Sequence, residues 1–374
     1  MPNTHTLLTT DEAVKLVEEY IKNESGITGT QELLDSGAVP RLKGYTAQPG
    51  KVSDSIFGGK VRFKDKATGE YVEHENPPLE TPDGVPVRIM VRTARISTHD
   101  ISRGEIPFKD QILAMNHNYM RKLVEWAIGT SQFEVPGLKD SAIAIAAENL
   151  TPVLYENVLR GYMAKSSTST SLYQHFINGS RDFCGHKLSE GLITNGPLPY
   201  VMDTPSTKAE NDESVSAVEL INRGVCTQDE YGWIRNGSLT AFGVASQFLR
   251  EKSLILVDVK FEHGKSIDGD IKSMDEILTM DSSRFWLLDD YNDQIVKLAD
   301  GEIEELAPKS YSKEFARGFS KGDQGYSDDE RAKIAVRYIE GIQHLLGIKF
   351  EPDMRPRDER MATGLQTILD ELIA

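Results

Sequence analysis

Hydrophobic positions at the start of the chain follow a helical period. Val14, Val17 and Ile21 recur at helical spacing behind Thr9 and Glu12, which together make a capping box. From Arg41 to about Ser97 the pattern changes to short branched runs, broken by "QPG", "FGG", "KATGE" and "NPPLETPDG". Such breaks separate antiparallel strands. The spacing then predicts a helix over Lys109 to Ile128, with Ile112, Met115, Tyr119, Leu123 and Trp126 on one stripe and Gly129 as its C-cap. "AIAIAAENL" and "VLYENVLRGYM" read as strands. Residues 163–235 carry little periodicity and read as long loops, and a helix near 238–251 leads into another strand. Ser327 and Glu330 make a second capping box, followed on one face by Ile334, Tyr338, Ile342 and Leu345, with Gly347 as the stop. Leu365, Ile368, Leu369 and Leu372 predict a last helix. No internal repeat appears, and the class is α+β with mainly antiparallel sheets.

The strand after the 238–251 helix, "LILVDVKFEHG" at 254–264, raises the first chemical question. Asp258, Lys260 and Glu262 alternate, so a strand places all three on one face. Asp268-Gly269 is a two-residue hairpin signal, and a hairpin closed there sets Glu262 directly opposite Asp275. Like charges so opposed are destabilising and call for a cation. Mg²⁺ takes one or two carboxylates and completes its shell with water and phosphate oxygens, and Lys260 on the same face can meet a phosphate. A solvated charged hairpin is the plain alternative. "DEILTMDSSRFW" at 275–286 weighs against it, because it adds Asp, Arg and Ser beside Phe285 and Trp286.

Composition narrows the partners. The 374 residues are 39% hydrophobic and 27% charged, ordinary for a globular protein of two or three lobes. A formal charge of −16 argues against nucleic acid and anionic membrane as partners. No run reaches the roughly 20 apolar residues of a membrane span. Cys184 and Cys226 form no metal or disulfide pattern, so the chain reads as cytoplasmic. "HGKS" at 263–266 lacks the first glycine of a P-loop, "HEN" at 74–76 lacks the second histidine of a zinc-protease helix, and His99, His117 and His175 are scattered.

The long motifs resemble those of the SAICAR synthetase (phosphoribosylaminoimidazole-succinocarboxamide synthase) family. "LILVDVKFEHG" and "DEILTMDSSRFW" are similar to its LxDxKFEFG and DExxTPDSSRFW segments. "NVLRGYM" (157–163), "CGHKLSEGL" (184–192), "TPSTKAENDESVS" (204–216), "ARISTHD" (94–100) and "IPFKDQIL" (106–113) resemble further family segments in the same order. The resemblance spans roughly residues 41–353. It implies a two-lobed α+β fold with ATP between the lobes, the first lobe resembling the small lobe of protein kinases. On that reading residues 1–40 are a helical extension, 41–150 the ATP-binding lobe, 151–353 the lobe with substrate and metal sites, and 354–374 a C-terminal helix.

The implied reaction joins L-aspartate to the carboxylate of carboxyaminoimidazole ribotide (CAIR) through an acyl phosphate, with ATP and Mg²⁺, to give the succinocarboxamide SAICAR. The implied catalytic residues are Lys260, Glu262, Asp275 and Lys208, with Mg²⁺ at Glu262 and Asp275. Lys51, with Lys260, Glu262 and Asp275, is implied for ATP, and "GKVRF" at 59–63 offers Lys60 as a second candidate. Ser97, Asp100, Arg160, Ser166, Lys208, Asp212 and Arg284 fall at positions implied to hold CAIR or aspartate. Partners are thus small molecules, with room for a homo-oligomer. Departures from the family pattern stand at Ser53, Ala94, Phe108, Asp110 and Lys165. They keep two alternatives open: an ATP-dependent ligase for another carboxylate or amine, and a nucleotide-binding protein without catalysis.

Overall fold

Side-chain caps start the helices where the sequence places them. In the computed structural model, which describes residues 6–24, 29–65, 68–98, 101–168, 171–208 and 212–373, Thr9 and Glu12 close a reciprocal capping box on the helix Thr10–Lys22. Ser327 and Glu330 do the same for Asp328–Leu346, which Gly347 ends at φ 70°. The helix Lys109–Ile128 also forms, but its buried face differs from the predicted stripe. Leu113, His117, Met120, Val124 and Ile128 face inward, while Trp126 is 69% exposed. The helix that precedes the 254–264 strand begins earlier than expected, at Gln228, because Thr227 and Glu230 form a third capping box.

The described residues divide into two compact units, one within 1–118, 131–149 and 319–374, the other within 119–130 and 150–318. This corrects the expected boundaries. Residues 319–353, expected in the second lobe, belong to the first unit, and so do the two terminal segments. The reason is apolar burial. Met361, Leu365, Ile368 and Leu369 of the helix Arg357–Leu372 share one core with Leu33, Leu34, Val39 and Leu42 near the N-terminus. That core also takes Ile56, Ile89, Val91 and Ala144 from the antiparallel sheet Ser53–Phe57, Val87–Arg92 and Ala144–Glu148. At about 2 kcal/mol for each large side chain removed from water, neither terminal segment is an optional appendage.

The second unit is built on a larger antiparallel sheet, in the order Pro197–Asp203, Tyr155–Tyr162, Leu254–Lys265, Ser283–Leu287 and Ser310–Tyr311. The helix Gln228–Glu251 lies on it, and Tyr231, Ile234, Ser238, Ala241, Phe242, Ala245 and Leu249 form its buried stripe. No helix among the described residues is long and apolar enough to cross a membrane.

The hairpin after Leu254–Lys265 closes differently from expectation. Ser266 N–H donates to Asp270 O (2.8 Å), Gly269 N–H donates to Ser266 O (3.0 Å), and Gly269 sits at φ 90°. The loop is therefore three residues long, Ile267 to Gly269, with the glycine in the left-handed bulge position. Glu262 consequently pairs with Met274, not Asp275. Asp275 falls just past the strand Ile271–Met274, at φ 62°.

Candidate active site

The alternation of the central strand gathers charge from both neighbours. Asp258 lies opposite Arg160 on one side and Arg284 on the other. The second pairing depends on a bulge between Leu256 and Asp258, without which Val257 would face Arg284. Arg284 Nε donates to both Asp258 oxygens (3.0 and 2.8 Å), and its Nη2 bonds the same carboxylate. Arg160 Nη1 stands 3.6 Å from Asp258 Oδ2, while its Nε donates to Thr204 Oγ1 at 2.9 Å. Burial pulls the Arg160 pKa down against the Asp258 charge. For Arg284 burial acts the same way, but the Asp258 carboxylate outweighs it and raises the pKa.

A second cluster follows two residues on. Lys260 Nζ donates to Glu156 Oε1 (2.7 Å) and Glu262 Oε1 (2.5 Å), and Lys208 Nζ bonds Glu262 Oε2. Glu262 is 7% exposed. Burial pushes its pKa up, yet the ammonium charges of Lys260 and Lys208 and their hydrogen bonds prevail and hold it at about 2. Burial alone would lower the Lys260 pKa, but Glu262, Glu156 and Asp275 together raise it. Lys260 is a permanent cation. Burial raises the Glu156 pKa in spite of Lys260.

These observations revise the electrostatic expectation. Glu262 and Asp275 do not stand as an uncompensated opposed pair, because Glu262 is bound by two lysines. Asp275 does come near, since its charge is felt at Lys260. Among the described residues no group of three or more His, Cys, Asp or Glu side chains is arranged to hold a metal.

A cavity of about 270 Å³ opens beside both clusters, lined among others by Glu156, Arg160, Ser166, Thr204, Asp212, Asp258, Lys260 and Arg284. The second unit thus assembles Arg160, Ser166, Lys208, Asp212, Lys260, Glu262, Asp275 and Arg284. Lys51 and Ser97 lie in the first unit, Lys51 exposed before the strand Ser53–Phe57 and Ser97 in Arg95–Thr98. Asp100 lies outside the described residues. Sequence reasoning missed Glu156 and Thr204. Glu156 was findable, since "YENVLRG" places it on the Arg160 face of its strand. Thr204 opens the quoted segment at 204–216, but its bond to Arg160 joins residues 44 positions apart and appears only in the fold.

A family model for SAICAR synthetase matches residues 80–331, two thirds of the chain. The chain belongs to the SAICAR synthetase family. It is 32% identical over 335 residues to the chloroplastic phosphoribosylaminoimidazole-succinocarboxamide synthase of Arabidopsis thaliana, covering 85% of this chain and 75% of that one. It is 33% identical over 319 residues to the Bacteroides fragilis synthase of the same name, covering 79% and 88%. In fold it is similar to SAICAR synthase from Saccharomyces cerevisiae complexed with SAICAR, at a TM-score of 0.64 and 20% identity over 87% of this chain and 99% of that one. It is also similar to a type-2 SAICAR synthetase in complex with ADP, at a TM-score of 0.55 and 20% identity over 82% and 100%.

Three departures from the SAICAR synthetase pattern acquire a physical reason in the first unit. Phe108 holds a glycine-like φ of 61°, and its ring packs 4.4 Å from that of Tyr20 and 5.8 Å from that of Phe350. Asp110, 1% exposed, is bonded by Arg357 Nη1 and by Arg360 Nη1 (3.1 Å) of the C-terminal helix. Arg357 Nη2 also donates to Arg92 O (2.7 Å), and Arg92 Nη1 donates to Ser53 Oγ (3.1 Å). The changes at 108 and 110 thus dock the two terminal helices, while Ser53 holds the side chain of Arg92. Lys165 instead forms an exposed ion pair with Glu305 at 2.5 Å. Nothing in the structure explains Ala94.

Proposed function

We propose that this protein is an ATP-dependent ligase that joins L-aspartate to the carboxylate of CAIR, giving SAICAR, ADP and phosphate. The observation that carries this reading is the convergence of four of the family's motifs, at 157–163, 204–216, 254–264 and 275–286, on one cavity of the second unit, as two adjacent clusters of opposed charge on neighbouring strands. The relatives' names, and the ADP and SAICAR complexes of the similar structures, point the same way.

A carboxylate is a poor acyl donor, so ATP first converts it to an acyl phosphate. The aspartate amine then attacks the acyl carbon, and phosphate leaves. Both substrates bring carboxylates, and guanidinium and ammonium groups are their natural partners. Arg284, oriented by Asp258, Arg160, bonded to Thr204, and Lys208, held by Glu262, are the anchors in this reading. Ser166 and Asp212 are the polar contacts on the cavity wall. Lys260 stays charged throughout and sets a fixed cation where phosphoryl charge develops, without reorganisation at that moment. Lys51 is the proposed ATP-phosphate contact of the first unit, with Ser97 and Asp100 proposed for substrate.

The donor chemistry of Glu262 and Asp275 suits Mg²⁺, a hard cation bound by one or two carboxylates with phosphate oxygens completing its shell. Bound there, Mg²⁺ would supply neutralisation of phosphoryl charge. In the chain alone Lys208 and Lys260 fill that countercharge role at Glu262.

The test is an ADP-release assay. Release should require CAIR and aspartate together. Release with another amine and none with aspartate would make this a ligase of different specificity. ATP binding without turnover in any pairing would overturn the ligase reading.

A further inference from the structure

The strand Pro197–Asp203 ends on a carboxylate that collects donors from two other elements. Asp203, 6% exposed, accepts from Tyr231 Oη at 2.5 Å and from Arg235 Nε at 3.0 Å, both on the helix Gln228–Glu251. His186 Nε2, on the short strand His186–Lys187, lies 3.4 Å from Asp203 Oδ1 and 2.7 Å from the Asp203 main-chain oxygen. His186 Nδ1 is 3.1 Å from Tyr200 Oη. One buried carboxylate therefore fastens the strand end to the helix on one side and to a hairpin on the other. Asp203 does not line the cavity. Its neighbour Thr204 does.

Thr204 is held just as tightly. Its N–H donates to Val158 O at 2.7 Å, and its hydroxyl donates to the same oxygen at 3.1 Å. With its proton so committed, the hydroxyl turns a lone pair to Arg160 Nε–H at 2.9 Å. The direction of the Arg160 guanidinium thus depends on where the Asp203–Thr204 corner sits. Asp258 constrains it loosely, at 3.6 Å.

We propose that Asp203 and His186 are positioning residues, which clamp the corner so that Thr204 aims Arg160 at an anionic group of the substrate. The proposal rests on the function given above for this cavity. Charges around the clamp give it a pH signature. His186 faces Asp203 and Tyr200, with Tyr231 and Arg235 across from it and Asp182 on its own hairpin. The bond to Asp203 raises the His186 pKa above 6.5, against burial and the Arg235 charge. The charge on the clamp is complete below 6.5 and is lost as pH rises through the raised value, which leaves only the neutral bond from Nε2–H to the Asp203 main-chain oxygen.

The experiment uses the full-length protein, with kcat and KM measured separately for CAIR and aspartate from pH 6 to 9. In the unmodified protein, KM for the substrate held by Arg160 should rise across this range. His186→Gln keeps a donor but never the charge, so its KM should stay near the high-pH value throughout. Asp203→Asn should raise that KM about tenfold, the lower worth of a hydrogen bond to a charged group, with a smaller change in kcat. Altered melting temperatures with unmodified KM values and pH profiles would make the cluster merely structural and overturn the proposal. If Asp203→Asn fails to fold, the flat or sloping profile of His186→Gln decides. NMR of the Arg160 Nε–H, assigned by its absence in Arg160→Lys, separates this proposal from the functional reading. A protected signal that is lost in Asp203→Asn supports the clamp even if CAIR and aspartate are not turned over, and an unchanged signal refutes it.

Discussion

Replacing Glu262 by Gln separates two pictures of the charged hairpin. If Glu262 and Asp275 faced each other bare, the change would relieve repulsion and leave the protein as stable or more so. The structure predicts the opposite, because each Glu262 oxygen is bound by an ammonium group. A carboxyl held at about 2 instead of 4.5 favours its ionised, folded form by about 3 kcal/mol. Loss of one partner from a buried ion pair is of the same order, roughly 3–5 kcal/mol. Gln keeps hydrogen-bonding oxygen but no charge, so a loss of about 2–3 kcal/mol is expected at pH 7. The sign with pH follows from a lowered folded-state value. The advantage of Glu over Gln is fully present above about 4.5 and is lost as pH falls towards 2. Urea unfolding of both proteins at pH 7, 5 and 4 measures it, with the gap constant between 7 and 5 and smaller at 4. An equal or higher midpoint for Glu262→Gln at pH 7 would refute the reasoning.

Two further outcomes are expected. Arg357→Met should destabilise the protein by about 3 kcal/mol, because Asp110 is buried and keeps only one guanidinium, that of Arg360, beside the Gln111 N–H; an unchanged denaturation midpoint would show that the terminal helix is not held by this pair. Burial pushes the His263 pKa down to about 4 in spite of nearby Glu262. Its ring should therefore stay neutral in the folded protein between pH 7 and 5, while the unfolded chain takes up the proton from about 6.5 downward, so stability declines over that interval. An NMR titration of the His263 ring with a midpoint near 6.5 would contradict this.

Much of the local structure was legible because its causes are local. Capping boxes need a hydroxyl and a carboxyl three residues apart, so Thr9–Glu12 and Ser327–Glu330 named their helix starts. Thr227–Glu230 obeys the same rule but sits in a Ser/Thr/Gly-rich stretch that reads as loop. Alternation along 254–265 likewise placed Asp258, Lys260 and Glu262 on one face before any partner was known.

What the chain could not announce depends on distance in sequence. Whether Asp268-Gly269 closes a two-residue or a three-residue loop turned on Ser266 and Asp270, and one residue of register moved Asp275 out from opposite Glu262. Lys208 reaches Glu262 across 54 positions and Glu156 reaches Lys260 across 104, so an expected repulsion became a compensated cluster only on folding. Phe108 and Asp110 read as departures from a glycine pattern. Tertiary structure makes them the seats of Tyr20, Arg357 and Arg360, because the terminal helices must bury their apolar faces and the first unit is where they do so. Periodicity and caps report backbone preferences within a turn or two, whereas charge partners and register are fixed by which strands the whole chain brings side by side.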